Sequence, residues 1–180
     1  MDDIVIQAMA KWPNVPACYG WLALDRRGQW WLRDAATQAA GPFSGSGSHA
    51  GSKGRKVDHD KLREFIERNY DVDERGCWFF QNGPQRVFVE LEVSPWVYRI
   101  GPDGHVHTHT GQMVQVESTW LDEAGRLYLH TDRGLGLVHS QDVHLAADRI
   151  ESGEWAMETC SQEELPRRFG FVISPASLFN

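Results

Sequence analysis

The chain has little of what would announce an obvious chemistry. Its three cysteines, Cys18, Cys77 and Cys160, are far apart and no CxxC occurs. That excludes a disulfide framework and a cysteine-based zinc module, and it predicts reduced thiols. No apolar run approaches the roughly 20 residues of a membrane-spanning helix. The opening Met1-Asp2-Asp3-Ile4 lacks the basic and apolar regions of a secretory leader. The expectation is a cytoplasmic protein with no membrane segment. Basic excess is also missing: 18 Lys and Arg stand against 25 Asp and Glu, for a net charge of −7 with histidines neutral. Such a balance does not suit a broad grip on phosphate backbones, so nucleic acid is not an expected partner. The Gly47–Gly54 stretch fails the spacing of a phosphate loop.

What is present argues for a folded, hairpin-rich protein. The hydrophobic fraction is 41% and the aromatic fraction 11%, with eight Trp, which excludes general disorder. Three times an acidic-to-glycine turn precedes an apolar run: Asp25–Gly28 before Trp30-Trp31-Leu32, Asp73–Gly76 before Trp78-Phe79-Phe80, and Asp122–Gly125 before Leu127-Tyr128-Leu129. Gly101–Gly104 is a looser relative. Asp opens such a turn by bonding the backbone ahead of it, and Gly takes the positive φ that closes it. The glycines at 28, 76 and 125 lie 48 and 49 residues apart, which raises an internal repeat.

Helical spacing predicts an N-terminal helix with Val5, Ala8, Met9 and Trp12 on one stripe, ended by Pro13. A second helix, capped by Asp58 or Asp60, carries Leu62, Phe65 and Ile66. Between them, residues 41–56 hold so much Gly and Ser that a flexible loop is expected. Alternation predicts strands for most of the rest, including 143–147 and 169–173, and Pro166 is expected to limit a helix begun at Ser161. The fold class is therefore α+β, with antiparallel hairpin-rich sheets and two main helices. The 180 residues read as one unit with repeated motifs, divisible into small lobes at 1–93 and 94–180.

Two stretches carry a resemblance. Lys11-Trp12-Pro13-Asn14-Val15-Pro16-Ala17-Cys18-Tyr19-Gly20-Trp21 continuing to Asp25, and Phe65–Tyr70 with Asp73–Val89, resemble an uncharacterised proteobacterial family known only as a domain of unknown function. The closing Leu165–Val172 is similar to it too. More remotely, residues 20–100 resemble another bacterial family of unknown function. That likeness implies a two-lobed α+β fold with repeated motifs and a signalling role. The Gln81–Arg86 segment departs from that family's pattern, and neither resemblance implies catalytic residues.

Candidate sites follow from side-chain chemistry. On one strand, alternation would put His105, His107 and His109 on a single face. Two such imidazoles can share a metal, with His130, His139 or His144 as a third ligand. The same residues equally suit a polar, solvent-facing strand side. Glu90 and Glu92 read as a solvated face, and Cys77 as a buried thiol without a partnered base. Consecutive rings at Trp30-Trp31 and Trp78-Phe79-Phe80 must point to both sides of their strands. An uncovered side at Trp31, Trp78 and Phe80 would be a partner surface. The sequence thus points to a non-enzymatic binding or regulatory module without a cofactor, taking an unidentified protein or small molecule. The alternative is a metal-binding protein or metal-dependent enzyme, holding zinc or another divalent ion at His105, His107 and His109.

Overall fold

The computed structural model describes residues 1–179. The chain divides into two compact units: Met1–Asp25 with Gln29–Val93 and the segment from Phe171 onward, and Ser94–Gly170 with Arg26–Gly28. Each unit is built on one mixed sheet flanked by helices, an α+β fold.

The first unit runs α1 (Asp3–Lys11), β1 (Cys18–Leu24), β2 (Trp30–Leu32), α2 (Ala35–Ala40), α3 (Ala50–Lys53), β3 (Arg55–Lys56), α4 (Asp60–Arg68), β4 (Tyr70–Val72), β5 (Trp78–Asn82) and β6 (Gln85–Leu91). Its sheet has the order β3-β2-β1-β6-β5-β4, and only the central β1–β6 pair is parallel. Cross-strand partners share a face, so the pairs Phe79–Phe88 and Phe80–Val87 mark opposite sides. On one side α4 packs, with the Phe65 ring edge-on to Phe80 at 5.3 Å. On the other, Cys77, Phe79 and Phe88 form a cluster with Tyr19 and Val172. Phe179 adds a ring 4.6 Å from Tyr19. The last segment is stitched to this sheet by Val172 N–H to Gly76 O and Leu91 N–H to Ile173 O. It belongs to the first unit and not, as the lobe division at 94–180 has it, to the second.

The second unit runs β7 (Trp96–Ile100), β8 (Val106–Thr108), β9 (Met113–Val114), β10 (Val116–Leu121), β11 (Leu127–Thr131), β12 (Gly134–Val138), α5 (Val143–Glu151), β13 (Met157–Thr159) and α6 (Leu165–Phe169). Its sheet has the order β13-β10-β11-β12-β7-β8-β9, with β7–β12 and β10–β13 parallel. Tyr98 and Tyr128 are fully buried at its centre. Their hydroxyls reach Thr131 and Asp122 respectively.

The two sheets repeat one topology. Adding six to each strand of the first order gives β9-β8-β7-β12-β11-β10, which is the second order without β13, and every pairing keeps its direction. Two three-stranded meanders meet through a parallel pair each time. The Asp25–Gly28 tip between β1 and β2 therefore corresponds to Gly101–Gly104 between β7 and β8. Asp73–Gly76 corresponds to Asp122–Gly125. The near-constant spacing of Gly28, Gly76 and Gly125 mixes two kinds of position. The turn chemistry holds at each tip: Asp25, Asp73 and Asp122 carboxylates accept the N–H four residues on, at 2.9 Å in each case. Gly28, Gly76 and Gly125 have φ of 74°, 80° and 75°.

Three sequence expectations are corrected. Residues 143–147 are helical, because Val143, Ala146 and Ile150 share a helix face and Asp142 anchors the start; the Asp142 carboxylate is bonded by Ile100 N–H and the Arg99 guanidinium on β7. Pro166 opens α6 and does not end a helix, since the first turn needs no N–H there. Phe169 closes α6, with Gly170 left-handed at φ 68°, so 169–173 is not a strand.

Candidate functional site

An irregularity in β1 shapes a concave apolar surface of the first unit. Along β1 the chain advances from Cys18 to Leu22 while its partner β6 advances only from Val87 to Val89. The extra residues form a bulge. Gly20 makes it possible, with φ 77° and an approach so close that an added Cβ would lie 2.6 Å from Gln38 Oε1. The bulge breaks strand alternation, and Cys18, Trp21 and Leu22 all open onto one groove of about 440 Å³. Its floor includes Phe80 and Val87, and α4 contributes Leu62 and Ile66 to its wall. At the rim Trp21, Leu32 and Leu62 are 47%, 39% and 37% exposed.

Arg33 fixes the strap beside this groove. Its side chain is buried and donates to three carbonyls: Ser52 O at 2.9 Å, Gly20 O at 3.3 Å and Gly41 O at 2.6 Å. Burial pulls its pKa down from the usual guanidinium value, and the field of Glu90 pushes back. Residues 41–56, expected to be a flexible loop, are therefore a packed strap around this cation. Phe43 and Ser52 are buried, Ser52 Oγ donates to Pro42 O at 2.7 Å, and the Lys53 ammonium sits 4.2 Å from the Phe43 ring centre. Gly54 serves close approach and not mobility: a Cβ on it, at φ 91°, would lie 2.2 Å from Leu32 O.

The aromatic surface expected at Trp31, Trp78 and Phe80 is not formed by those rings. Trp78 and Phe80 are buried, Trp78 against Tyr70 at 4.8 Å and Phe80 under Phe65. Trp31 is half-buried and donates its indole N–H to Asp25 Oδ2 at 2.9 Å. Both faces of the strand pair are covered, so alternation alone leaves no ring outside. Phe80 still contributes to the groove, from below. The sequence reading missed Trp21, Leu32 and Leu62. The available signal was Gly20, a glycine inside an apolar strand run, which marks a bulge.

The three histidines do not share a strand face. β8 ends at Thr108, where Thr108 N–H bonds Gln112 O and Gly111 N–H bonds Thr108 O to close a turn. His105 precedes the strand, His107 lies on it, and His109 lies in the turn. The His109 Nδ1 accepts from Val97 N–H at 3.3 Å. Its Nε2 is closed off from solvent, and burial pushes its pKa down to about 3, so the ring is neutral at pH 7. His130 pairs with Glu117 at 3.1 Å. Among the described residues, no group of three or more His, Cys, Asp or Glu side chains is placed to hold a metal ion. Glu90, expected on a solvated face, is buried instead; burial pushes its pKa up, while it accepts from Ser174 Oγ and Ala176 N–H. Burial likewise raises the Cys77 thiol. No helix among the described residues is long and apolar enough to cross a membrane.

Fold and surface define a two-unit α+β protein with a repeated sheet and an apolar groove on the first unit. The chain belongs to the DUF2944 family, whose model matches residues 1–176 and is described as "Protein of unknown function (DUF2946)". Comparison with curated proteins finds no match. Among solved structures the chain is similar to a DUF1285 family protein from Silicibacter pomeroyi DSS-3, at 13% identity over 82% of this chain and 84% of that one, with a TM-score of 0.48. It is also similar to one from Shewanella baltica OS155, at 14% identity over 71% and 91%, with a TM-score of 0.46.

Proposed function

We propose that this protein is a non-enzymatic binding module and that the groove on the first unit is its working surface. One observation carries the reading. Trp21, Leu32 and Leu62 remain well exposed around a concave apolar surface of about 440 Å³. Ligand sites are concave and mainly apolar with a few placed polar groups, and about 300–1,000 Å³ is their usual size. The polar residues here fit that description. Arg33 is occupied by backbone carbonyls, and the Asp34 carboxylate caps α2 through Thr37 N–H at 2.8 Å. Neither forms a proton-transfer pair, and among the described residues no base is hydrogen-bonded to the Cys18 thiol of the same lining, which favours binding over catalysis.

Titration with the neutral fluorescent probe N-phenyl-1-naphthylamine tests it. The expected result is a saturable rise in emission, with affinity reduced about tenfold or more by Trp21→Glu, the order expected for removing one large apolar contact. Met113→Glu, at an exposed position of the second unit, leaves it unchanged. No saturable binding, or binding indifferent to Trp21→Glu, overturns the reading.

A further inference from the structure

The groove does not end at Leu32 and Leu62. These two residues also wall a second concavity of about 460 Å³, whose other lining includes Arg55, Lys56, Asp58 and His59. The two concavities share Leu32 and Leu62, so an apolar surface passes directly into a charged one. Arg55 and Lys56 form β3, the outermost strand of the sheet, and both are exposed. Among the described residues, neither has a carboxylate within ion-pair distance, whereas Lys53 pairs with Glu92 and Arg63 with Asp60. His59 Nδ1 accepts from Leu62 N–H at the start of α4. That leaves Asp58 as the carboxylate facing Arg55 and Lys56 in this concavity, and the cations outnumber it. A cationic end is notable in a chain of net charge −7.

We propose that the ligand of the groove is a single-chain anionic amphiphile, an acyl carboxylate, with its chain over Trp21 and Phe80 and its head at Arg55 and Lys56. The proposal rests on the groove being the binding surface. A ligand matched to it must be apolar along most of its length and anionic at one end. A wholly apolar ligand would leave two unpaired cations beside it unused. A cationic one would meet like charge. The cations are exposed, so the head stays partly hydrated and its attraction is screened by salt.

The test is displacement of bound N-phenyl-1-naphthylamine by decanoate, decanol and decyltrimethylammonium, each below its micelle concentration. These three share a chain and differ in head charge. Decanoate is expected to displace the probe at about tenfold lower concentration than decyltrimethylammonium, the order expected for one head group near two exposed cations. High salt narrows that gap. The variant Arg55→Ala/Lys56→Ala removes it while the probe still binds, and Arg55→Glu/Lys56→Glu reverses it in favour of decyltrimethylammonium. Equal displacement by all three, or a decanoate preference that survives both variants, overturns the charge assignment and leaves the groove standing. Displacement by none of them, with the probe bound, gives the groove to an apolar protein segment and overturns the amphiphile. Absence of probe binding overturns the groove itself.

Discussion

The two sheets share an order and differ in what interrupts it. In the second unit, β8 passes to β9 through residues 109–112, and β9 passes to β10 through residue 115 alone. In the first, the matching connections hold α2 and α3 across residues 33–54 and α4 before β4. The strand opening each sheet also differs. β7 is regular, while β1 bulges at Gly20. These departures add Trp21 from the bulge, Arg33 and its strap from the first insertion, and Leu62 and Ile66 from the second, to a lining that the shared strands supply through Leu32, Phe80 and Val87. The repeated topology is a scaffold, and the binding surface is an addition made to one copy of it.

That contrast can be broken by substitution, and the largest effect should fall on the strap. Arg33→Ala removes a buried guanidinium from three carbonyls and should cost about 3 kcal/mol or more. Arg168→Ala in the second unit, at an exposed guanidinium beside the exposed Glu158, should cost about 1 kcal/mol or less. Urea unfolding of both variants measures the difference, and equal losses would mean the strap is not organised by Arg33. Next comes backbone fit. Gly54→Ala meets Leu32 O at 2.2 Å, whereas Gly125→Ala meets nothing within 4 Å. Both pay for positive φ, roughly 1 kcal/mol, but Gly54→Ala should cost at least about 1 kcal/mol more.

The second unit should lose stability in mild acid through His109. The His109 pKa of about 3 lies below the unfolded value, so the unfolded chain binds the proton first. The neutral ring's contribution is complete above about pH 6.5 and is lost as pH falls toward the folded pKa, at about 1.4 kcal/mol per pH unit. Unfolding free energies between about pH 6.5 and 4.5 should show that slope, and His109→Phe should flatten it. Asp73, Asp122 and Asp142 act lower. Burial raises each carboxyl, but hydrogen bonds from Cys77 N–H, Arg126 N–H and the Arg99 guanidinium respectively lead the groups that hold them below the usual range. Their stabilisation is present above the unfolded carboxylate pKa near 4 and fails as pH drops through their folded values. The smallest effect on stability belongs to the groove rim: Leu62→Ala, at a 37% exposed position, should change unfolding by about 0.5 kcal/mol or less while weakening probe binding.

Turns and sheets were legible in the sequence because their causes are local. Asp25, Asp73 and Asp122 each bond the amide four residues on, and Gly28, Gly76 and Gly125 take positive φ, as the residue types demand. What was illegible is set by distant partners. Nothing local says that Gly41 and Ser52 will lend carbonyls to Arg33, so a Gly- and Ser-rich segment read as mobile when it is packed. The two parallel pairings at the sheet centres depend on which strands meet, not on any turn. For the site, alternation correctly sent Trp78 and Phe80 to the same face but could not say that α4 and Tyr70 would cover them. The exposed ring, Trp21, came from a bulge whose only mark was one glycine.

The central claim is that the binding surface lies on the sheet whose β1 bulges and whose connections carry α2, α3 and α4, and not on its repeat. Chemical-shift perturbation on titrating the intact protein with N-phenyl-1-naphthylamine tests it most directly. The account predicts shifts concentrated at the Trp21 indole, Leu32, Leu62 and Phe80, with Trp120 and the β7–β12 backbone unmoved. Shifts centred on the second unit, or spread evenly over both, would contradict it.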